Sequence, residues 1–453
     1  MTKFGILFLM VFGGGIFAAF AYGPAWAFYL YELIYFLNPN NRWWGNGIPN
    51  ISYSFYATLT MLFLTGIHWK KHQNSLKEMV EFKWFIGLIL SYLIVTPFAL
   101  NDMMHQRFLV YLTTSWAVVI IAFYILDSTK KVELAMLFFM LGAAYIGYEA
   151  HNVGRNIYGR IDNIGTLDSP EANTIAASIV PALAFCAYFI WHGNYKIKAC
   201  AAICGALLAN GLILINSRGA FLAAVVSLAY FGFHMLFAKY KLPKQRLVLV
   251  AFIIFGLVGV VKVADNTFWE RMGTLRTQSS IDSEGSGGRR INFWIATFDM
   301  LKDHPTGMGI WGYETISARY LPEEYISTGF GQRVRSVHSL WFQSLGEIGW
   351  LGFFIFMGLL LSIKLHLRRA KKALIEAKML QNYYMLISIE SSAVAFFVAS
   401  SFINMFRSNV MYLMFSIGIC AAVTGLRAAN KKLGESAEVE KQSTMFGRTR
   451  RRT

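Results

Sequence analysis

The sequence is poor in charge. Only 15% of its 453 residues are Asp, Glu, Lys or Arg, whereas a soluble domain normally carries about 25%. Long apolar runs recur along the whole chain, and 56% of the residues are hydrophobic. A bilayer-spanning helix needs roughly 17–25 apolar residues, and spanning segments must be helical because hydrocarbon offers no hydrogen-bond partners. The sequence therefore predicts an all-α, polytopic transmembrane bundle and argues against a soluble multidomain protein.

Cysteine and phosphate-binding motifs are also scarce. The four cysteines lie in or beside apolar runs, so we expect neither a disulfide framework nor a cysteine-bound metal; they are Cys186, Cys200, Cys204 and Cys420. The chain has no Walker-type phosphate loop, so we do not expect it to use ATP. It has no Asp-x-Asp pair, and the polar stretch 38–50 contains no acidic residue. These absences predict a site without metal or cofactor.

Lysine-rich connections fix the predicted topology. The net charge of +17 could suggest nucleic acid, but in a membrane protein it more often reflects cytoplasmic loops held against anionic lipid. With the basic connections inside, both ends are cytoplasmic and twelve spans are predicted, at 4–20, 51–67, 82–99, 108–126, 132–150, 174–191, 198–214, 218–237, 246–264, 338–363, 385–405 and 409–427. The first is interpreted as a retained anchor rather than a cleaved signal peptide. The stretch 25–37 is short and carries Glu32, so an interfacial or re-entrant helix is expected there, with a thirteenth span as the alternative.

Arginine and lysine separate across this topology. The inner side holds most of the lysines, whereas the outer side holds Lys262 and Lys302 and a larger set of arginines, namely Arg42, Arg107, Arg155, Arg160, Arg218, Arg271, Arg276, Arg289, Arg290, Arg319, Arg333, Arg335 and Arg407. The planar guanidinium group matches phosphate oxygens in bidentate fashion. Two interpretations remain open: arginines reaching for lipid headgroups, or an outward-facing site for a phosphorylated ligand.

Five regions follow from the pattern: an N-terminal bundle at 1–150, a core region at 151–264, a large outer loop at 265–337, C-terminal hairpins at 338–430 and a basic cytoplasmic tail at 431–453. Within the outer loop, the stretch beginning at Ile291, directly after Arg289 and Arg290, predicts an amphipathic helix that Pro305 ends. Its apolar face is predicted to contain Ile291, Trp294, Ile295, Phe298 and Leu301. A helix of this kind is expected to lie in the membrane interface.

Several short elements occur in a recognisable order on the predicted outer side. They are NSRGA at 216–220, Arg290 with Trp294, Pro305 with Gly307 and Gly309, and His338 with Gly349 and Gly352. In this order they resemble the O-antigen ligase and O-antigen polymerase family of membrane glycosyltransferases, which are GT-C-like. The stretch LNPNNRWWG at 37–45 is similar to the O-glycosylation ligases associated with exosortase A systems.

The resemblance implies roles for individual residues. His338 would be the base that takes a proton from an acceptor hydroxyl, and an unperturbed imidazole pKa of about 6.5 suits that role. Arg218 and Arg290 would bind the diphosphate of a lipid carrier, with Arg160 and Arg289 as further candidates. From the residues alone, His338 could equally be an interfacial polar residue, Arg218 a snorkelling side chain and Arg290 a solvated loop charge. His151 is expected to be structural.

The implied reaction is transfer of a glycan from an undecaprenyl diphosphate carrier to a hydroxyl at the periplasmic face of the bacterial inner membrane, inverting and metal-independent. The acceptor stays open between lipid A-core, a growing polysaccharide and protein, so a ligase, a polymerase and a protein O-oligosaccharyltransferase remain alternatives. A transporter or flippase of lipid-linked sugars is the alternative from another class. Membrane lipids are the other expected partners, and nucleic acid is not.

Overall fold

The chain is helical throughout the part that its computed structural model describes, residues 2–449 except 41, 157–158, 160, 162–163, 239–243, 278–285, 329–330 and 333. The helices are α1 (Lys3–Tyr22), α2 (Ala25–Leu37), α3 (Tyr53–Ile67), α4 (Phe82–Val95), α5 (Asp102–Ile125), α6 (Thr129–Val153), α7 (Ala172–Ile179), α8 (Ala182–His192), α9 (Tyr195–Ile215), α10 (Arg218–Phe237), α11 (Gln245–Val263), α12 (Asn266–Thr277), α13 (Ser286–Asp303), α14 (Gly312–Tyr320), α15 (Glu323–Ile326), α16 (Leu340–Glu376), α17 (Leu380–Ser400) and α18 (Asn409–Thr449). Short 3₁₀ turns cover Trp69–Lys71, Leu76–Glu78 and Thr96–Phe98. One antiparallel hairpin joins β1 (Ser327–Thr328) to β2 (Gly331–Gln332).

Nine helical segments within the described residues are long and apolar enough to cross a membrane: α1, α5, α6, α7 with α8, α9, α10, α16, α17 and the first part of α18. The predicted all-α membrane fold is therefore confirmed, and nine of the twelve predicted spans correspond to these segments. Helices α3 and α4 occupy two further predicted spans but have only 15 and 14 residues. Pro97 lies in the 3₁₀ turn that follows α4, because proline cannot supply the next helical hydrogen bond. The remaining predicted span, 246–264, falls on α11, several of whose side chains are not described. The count of twelve therefore stays a prediction.

Helix α2 is enclosed by protein. Ten of its thirteen residues are buried, including Glu32, and it packs against α1, α3 and α6. An apolar helix covered on all its faces has no polar side to present to lipid headgroups. Its burial favours the re-entrant alternative for 25–37 over the interfacial one.

A break in α16 fixes the outer loop to the bundle. Gly349 has non-helical dihedral angles (φ 62°, ψ −171°), which frees carbonyl groups in the preceding turn. Two of them accept hydrogen bonds from the Pro-x-Gly-x-Gly turn: Met308 donates to the Gly346 carbonyl at 2.8 Å and Gly309 to the Glu347 carbonyl at 3.1 Å. A Cβ atom on Gly307 would lie 2.6 Å from the Gly349 nitrogen. The two motifs therefore form one backbone-to-backbone contact that only glycines allow.

The outer loop has its own small core, in which α13 buries a different face from the predicted one. The helix is confirmed, but its buried side chains are Phe293, Ala296, Thr297, Met300 and Leu301. Of the predicted apolar face only Leu301 is buried, while Ile295 and Phe298 are 50% and 43% exposed. The reason is tertiary: Met308, Tyr313 and Ile316 cover the buried side, and the predicted side instead borders α16, where Phe298 stacks on Trp350.

Candidate functional site

Three arginines line one cleft. Arg218, Arg271 and Arg290 come from α10, α12 and α13, and with Asn173, Ser217, Gly219, Ala220, Ala399, Phe402 and Ile403 they enclose about 490 Å³ of partly open space. Two of the three, Arg218 and Arg290, are predicted site residues. The structure thus brings together side chains that are 72 positions apart in the sequence.

The beginning of α10 forms one wall of the cleft. Helix α9 ends at Ile215, and the capping residue Asn216 adopts the left-handed conformation (φ 57°), which asparagine tolerates better than most residues. Two residues later α10 begins at Arg218, and the Ser217 side chain makes no capping hydrogen bond. The first N–H groups of a helix have no intrahelical partner and lie at the positive end of its dipole. This wall is therefore suited to an anion independently of its arginine.

The charge of the cleft has one sign. The described lining contains three guanidinium groups and no carboxylate. Three forked cations around one space can donate to several oxygens of a diphosphate at once, which three point charges cannot do with the same geometry.

His338 lies beside this cleft without lining it. Its backbone is left-handed (φ 51°), and its ring centroid is 6.3 Å from that of Phe293, one helical turn after Arg290. The next residue, Ser339, donates its backbone N–H to the Asn404 side chain at 3.2 Å. Asn404 follows Ile403, which lines the cleft. Two packing contacts thus join the histidine to the arginine-lined space.

The cleft and His338 lie within a family match. The family model described as O-antigen ligase matches residues 203–357, which include all three cleft arginines and His338. This segment is therefore similar to the O-antigen ligase family. No curated protein matches the chain. This match and the nine apolar helices described above support a multi-pass membrane protein that contains a domain similar to O-antigen ligases.

The remaining predicted outer arginines include three that are paired with acids. Arg42 bonds to the buried Glu149 at 2.5 Å, Arg155 pairs with Asp265, and Arg407 lies 3.1 Å from Glu347. Removing one partner of a buried pair strands a charge and is strongly destabilising, which applies to Arg42 and Arg407, whereas Asp265, the partner of Arg155, is 50% exposed. Each of the three arginines has an acidic partner, so the predicted outer arginines do not form a single functional set.

Two predicted site residues lie outside the described part of the chain. Arg160 is not among the described residues, and although Arg289 is within α13 its side chain is not described. His151 does not line the cleft; its Nδ1 lies 3.3 Å from the Asn210 side chain. The roles of Arg160 and Arg289 stay predictions.

The sequence interpretation missed Arg271 and Asn173 as lining residues. Arg271 lies on the twelve-residue α12, which has no motif or span boundary to mark it. Asn173 is the second residue of α7, and no motif marks it either. Only the packing of the outer loop against α7 and α10 reveals that they share a cleft.

The loop that leads to Asn173 is anchored by Asp168. This carboxylate accepts hydrogen bonds from the Tyr35 hydroxyl at 2.7 Å and the Asn409 backbone at 2.8 Å. Burial raises the pKa of Asp168, and the hydrogen bonds it accepts partly oppose that shift. The contacts tie the loop to α2 and to the beginning of α18 on the side of the bundle where the cleft opens.

A polar network lies behind His338. Asn404 donates to the Glu314 carboxylate at 3.4 Å, and Arg407 lies over the Trp311 ring, 5.7 Å from its centroid. Burial raises the pKa of Glu314, while the positive charge of Arg407 lowers it. The network joins α14 and the α17–α18 connection to the residue that follows His338.

Proposed function

We propose that this protein transfers a glycan from an isoprenoid diphosphate carrier to an acceptor hydroxyl, at the end of the bundle where the arginine cleft opens. The observation that carries the proposal is the cleft itself, in which Arg218, Arg271 and Arg290 meet and no acidic residue is among the described lining residues. A glycosyl diphosphate leaves as an anion, and preorganised cations aimed at that developing charge stabilise the transition state.

In the proposed step the acceptor oxygen attacks the anomeric carbon while the bond from that carbon to the diphosphate oxygen breaks. The electron pair of the broken bond stays on the diphosphate, where the three guanidinium groups neutralise it. The proton of the attacking hydroxyl goes to the imidazole of His338. Because attack and departure occur on opposite faces of the sugar, the anomeric configuration inverts. Since diphosphate is already a good leaving group, positioning and electrostatics can supply the acceleration without a metal ion.

The acceptor distinguishes three versions of this proposal. A ligase would use lipid A-core, a polymerase the end of another glycan, and an O-oligosaccharyltransferase a protein hydroxyl. We favour the ligase, because the family match is to an O-antigen ligase model. The bacterial inner membrane, with the cleft facing the periplasm, is the proposed location.

Reconstitution tests the proposal. The full-length protein in proteoliposomes receives a lipid-diphosphate-linked glycan, and lipid A-core, free glycan and a peptide are offered one at a time. We expect a glycosylated acceptor of increased mass with wild type and none with His338→Ala, whose loss of one side chain beside the cleft leaves membrane insertion unchanged. Transfer by His338→Ala at the wild-type rate would refute its role as the base.

Two further arms separate the alternatives. Transfer is expected to persist in EDTA, and loss of transfer that a divalent metal restores would contradict the metal-free mechanism. Movement of intact lipid-linked glycan across the bilayer, with no product on any acceptor, would identify a transporter instead.

A further inference from the structure

A second pocket lies at the other end of the bundle. It borders about 950 Å³ of space, partly open to solvent, between the segment around Glu78 and the distal parts of α16 and α18, and its lining residues are Glu78, Val80, His366, Arg369, Val423, Leu426, Arg427, Asn430 and Lys431. Arg369 follows the break at Gly349 by 20 residues, which at 1.5 Å per residue corresponds to about 30 Å of helix. That length matches the hydrocarbon thickness of about 30 Å, which supports the assignment of this pocket and the arginine cleft to opposite membrane surfaces.

Acidic side chains in and beside this pocket already contact basic ones. Glu78 accepts from Arg427 at 2.8 Å, and the same guanidinium reaches the Asp127 carbonyl at 3.4 Å. His366, itself buried, lies 3.0 Å from the buried Glu81. These contacts use the acidic groups at the pocket within the structure, so they do not neutralise the remaining cations.

Arg369 and Lys431 are those remaining cations. Both are exposed. None of the ion pairs found among the described residues involves Arg369, and Lys431 lies 4.0 Å from the exposed Glu435 one turn further along its own helix. The lining also contains the apolar side chains of Val80 and Val423. Val80 is 42% exposed.

A molecule that matches this lining has an anionic group that contacts the two cations and an apolar part that contacts the two valine side chains. We propose that the pocket binds the headgroup of an anionic phospholipid, with its phosphate at Arg369 and Lys431 and the beginning of its acyl chains along Val80 and Val423. Basic pockets between transmembrane helices at this level of a membrane are suited to such headgroups. Zwitterionic lipids fit less well, because their ammonium group would be repelled.

Lipid retention by the purified full-length protein tests this without any glycan. The protein is incubated in detergent with equal amounts of phosphatidylglycerol and phosphatidylcholine, and bound lipids are counted by native mass spectrometry. Wild type is expected to retain phosphatidylglycerol preferentially. In the double variant Arg369→Gln/Lys431→Gln, the loss of two surface cations is expected to weaken that retention about tenfold.

The chain offers a matched control. Arg368→Gln/Lys432→Gln removes the same charge from neighbouring exposed positions that do not line the pocket, and it is expected to retain lipid as wild type does. Equal loss in both double variants would reduce the effect to diffuse surface charge, and unchanged retention in the first would refute the site outright. Displacement of the lipid by inorganic phosphate alone would assign the pocket to a soluble phosphate and overturn the lipid proposal. Size-exclusion chromatography checks that each variant is folded.

Discussion

Arg218 and a lysine at the same place would carry equal charge but different donors. A guanidinium group presents five N–H donors in a fixed fork, whereas an ammonium group acts as a point charge. If the cleft holds a diphosphate, Arg218→Lys and Arg271→Lys should each lower transfer about 10- to 100-fold, through the lost bidentate bonds. The rate of glycan transfer in proteoliposomes, at matched protein abundance, measures this.

Arg319→Lys is the control for that comparison, because Arg319 is exposed on the outer loop and does not line the cleft. It should transfer at the wild-type rate. Wild-type activity in Arg218→Lys would support the snorkelling interpretation. Wild-type activity in Arg271→Lys alone would restrict the diphosphate site to the two arginines that the sequence motifs mark.

At the residue scale, the sequence predicts which side chains are candidates for the reaction better than it predicts which residues they contact. Arg218, Arg290 and His338 could be singled out because each stands in a short motif or at the mouth of a span. Nothing local distinguishes Arg271, which lines the cleft, from Arg42, which is buried against Glu149. Glu149 is 107 positions from Arg42, and only the packed bundle determines which arginine meets which acid.

At the scale of elements, the contact between Gly307 and Gly349 fixes the outer loop against the helix bundle. Both residues have positive φ angles, and a Cβ atom on Gly349 would lie 2.5 Å from the Thr306 carbonyl carbon. We expect Gly307→Ala to separate the turn from the break in α16, to lower thermal stability by several degrees and to abolish most transfer. Differential scanning fluorimetry and the transfer assay measure the two effects.

Gly66→Ala provides the comparison, since a Cβ atom there would meet no atom within 4 Å and alanine favours a helix. Its melting temperature and activity should match or exceed those of wild type. If Gly307→Ala behaved in the same way, the close contact between the two motifs would not be needed for the fold or for the site.

Helices were the most predictable elements, because hydrophobic length alone marks a spanning segment. The buried faces of the helices were less predictable. In α13 the sequence pattern favours the side with Ile295 and Phe298, yet Phe293 and Met300 are buried, because α14 and the turn before it happen to pack there. The break at Gly349 was likewise invisible, since glycine in an apolar run is compatible with an unbroken helix.

At the scale of the whole molecule, the proposed mechanism requires the outer loop and the basic connections to lie on opposite sides of the membrane. The described cysteines suit a labelling test, because Cys186, Cys204 and Cys420 are buried and Cys200 is only partly exposed. Glu323→Cys places an exposed thiol on the outer loop, and Lys372→Cys places one near the far end of α16. A membrane-impermeant maleimide applied to intact spheroplasts should label the first variant and not the second, and both should be labelled after detergent is added. Labelling of Lys372→Cys alone in intact spheroplasts would turn the arginine cleft toward the cytoplasm. Transfer to a periplasmic acceptor would then be impossible, whatever the cleft binds.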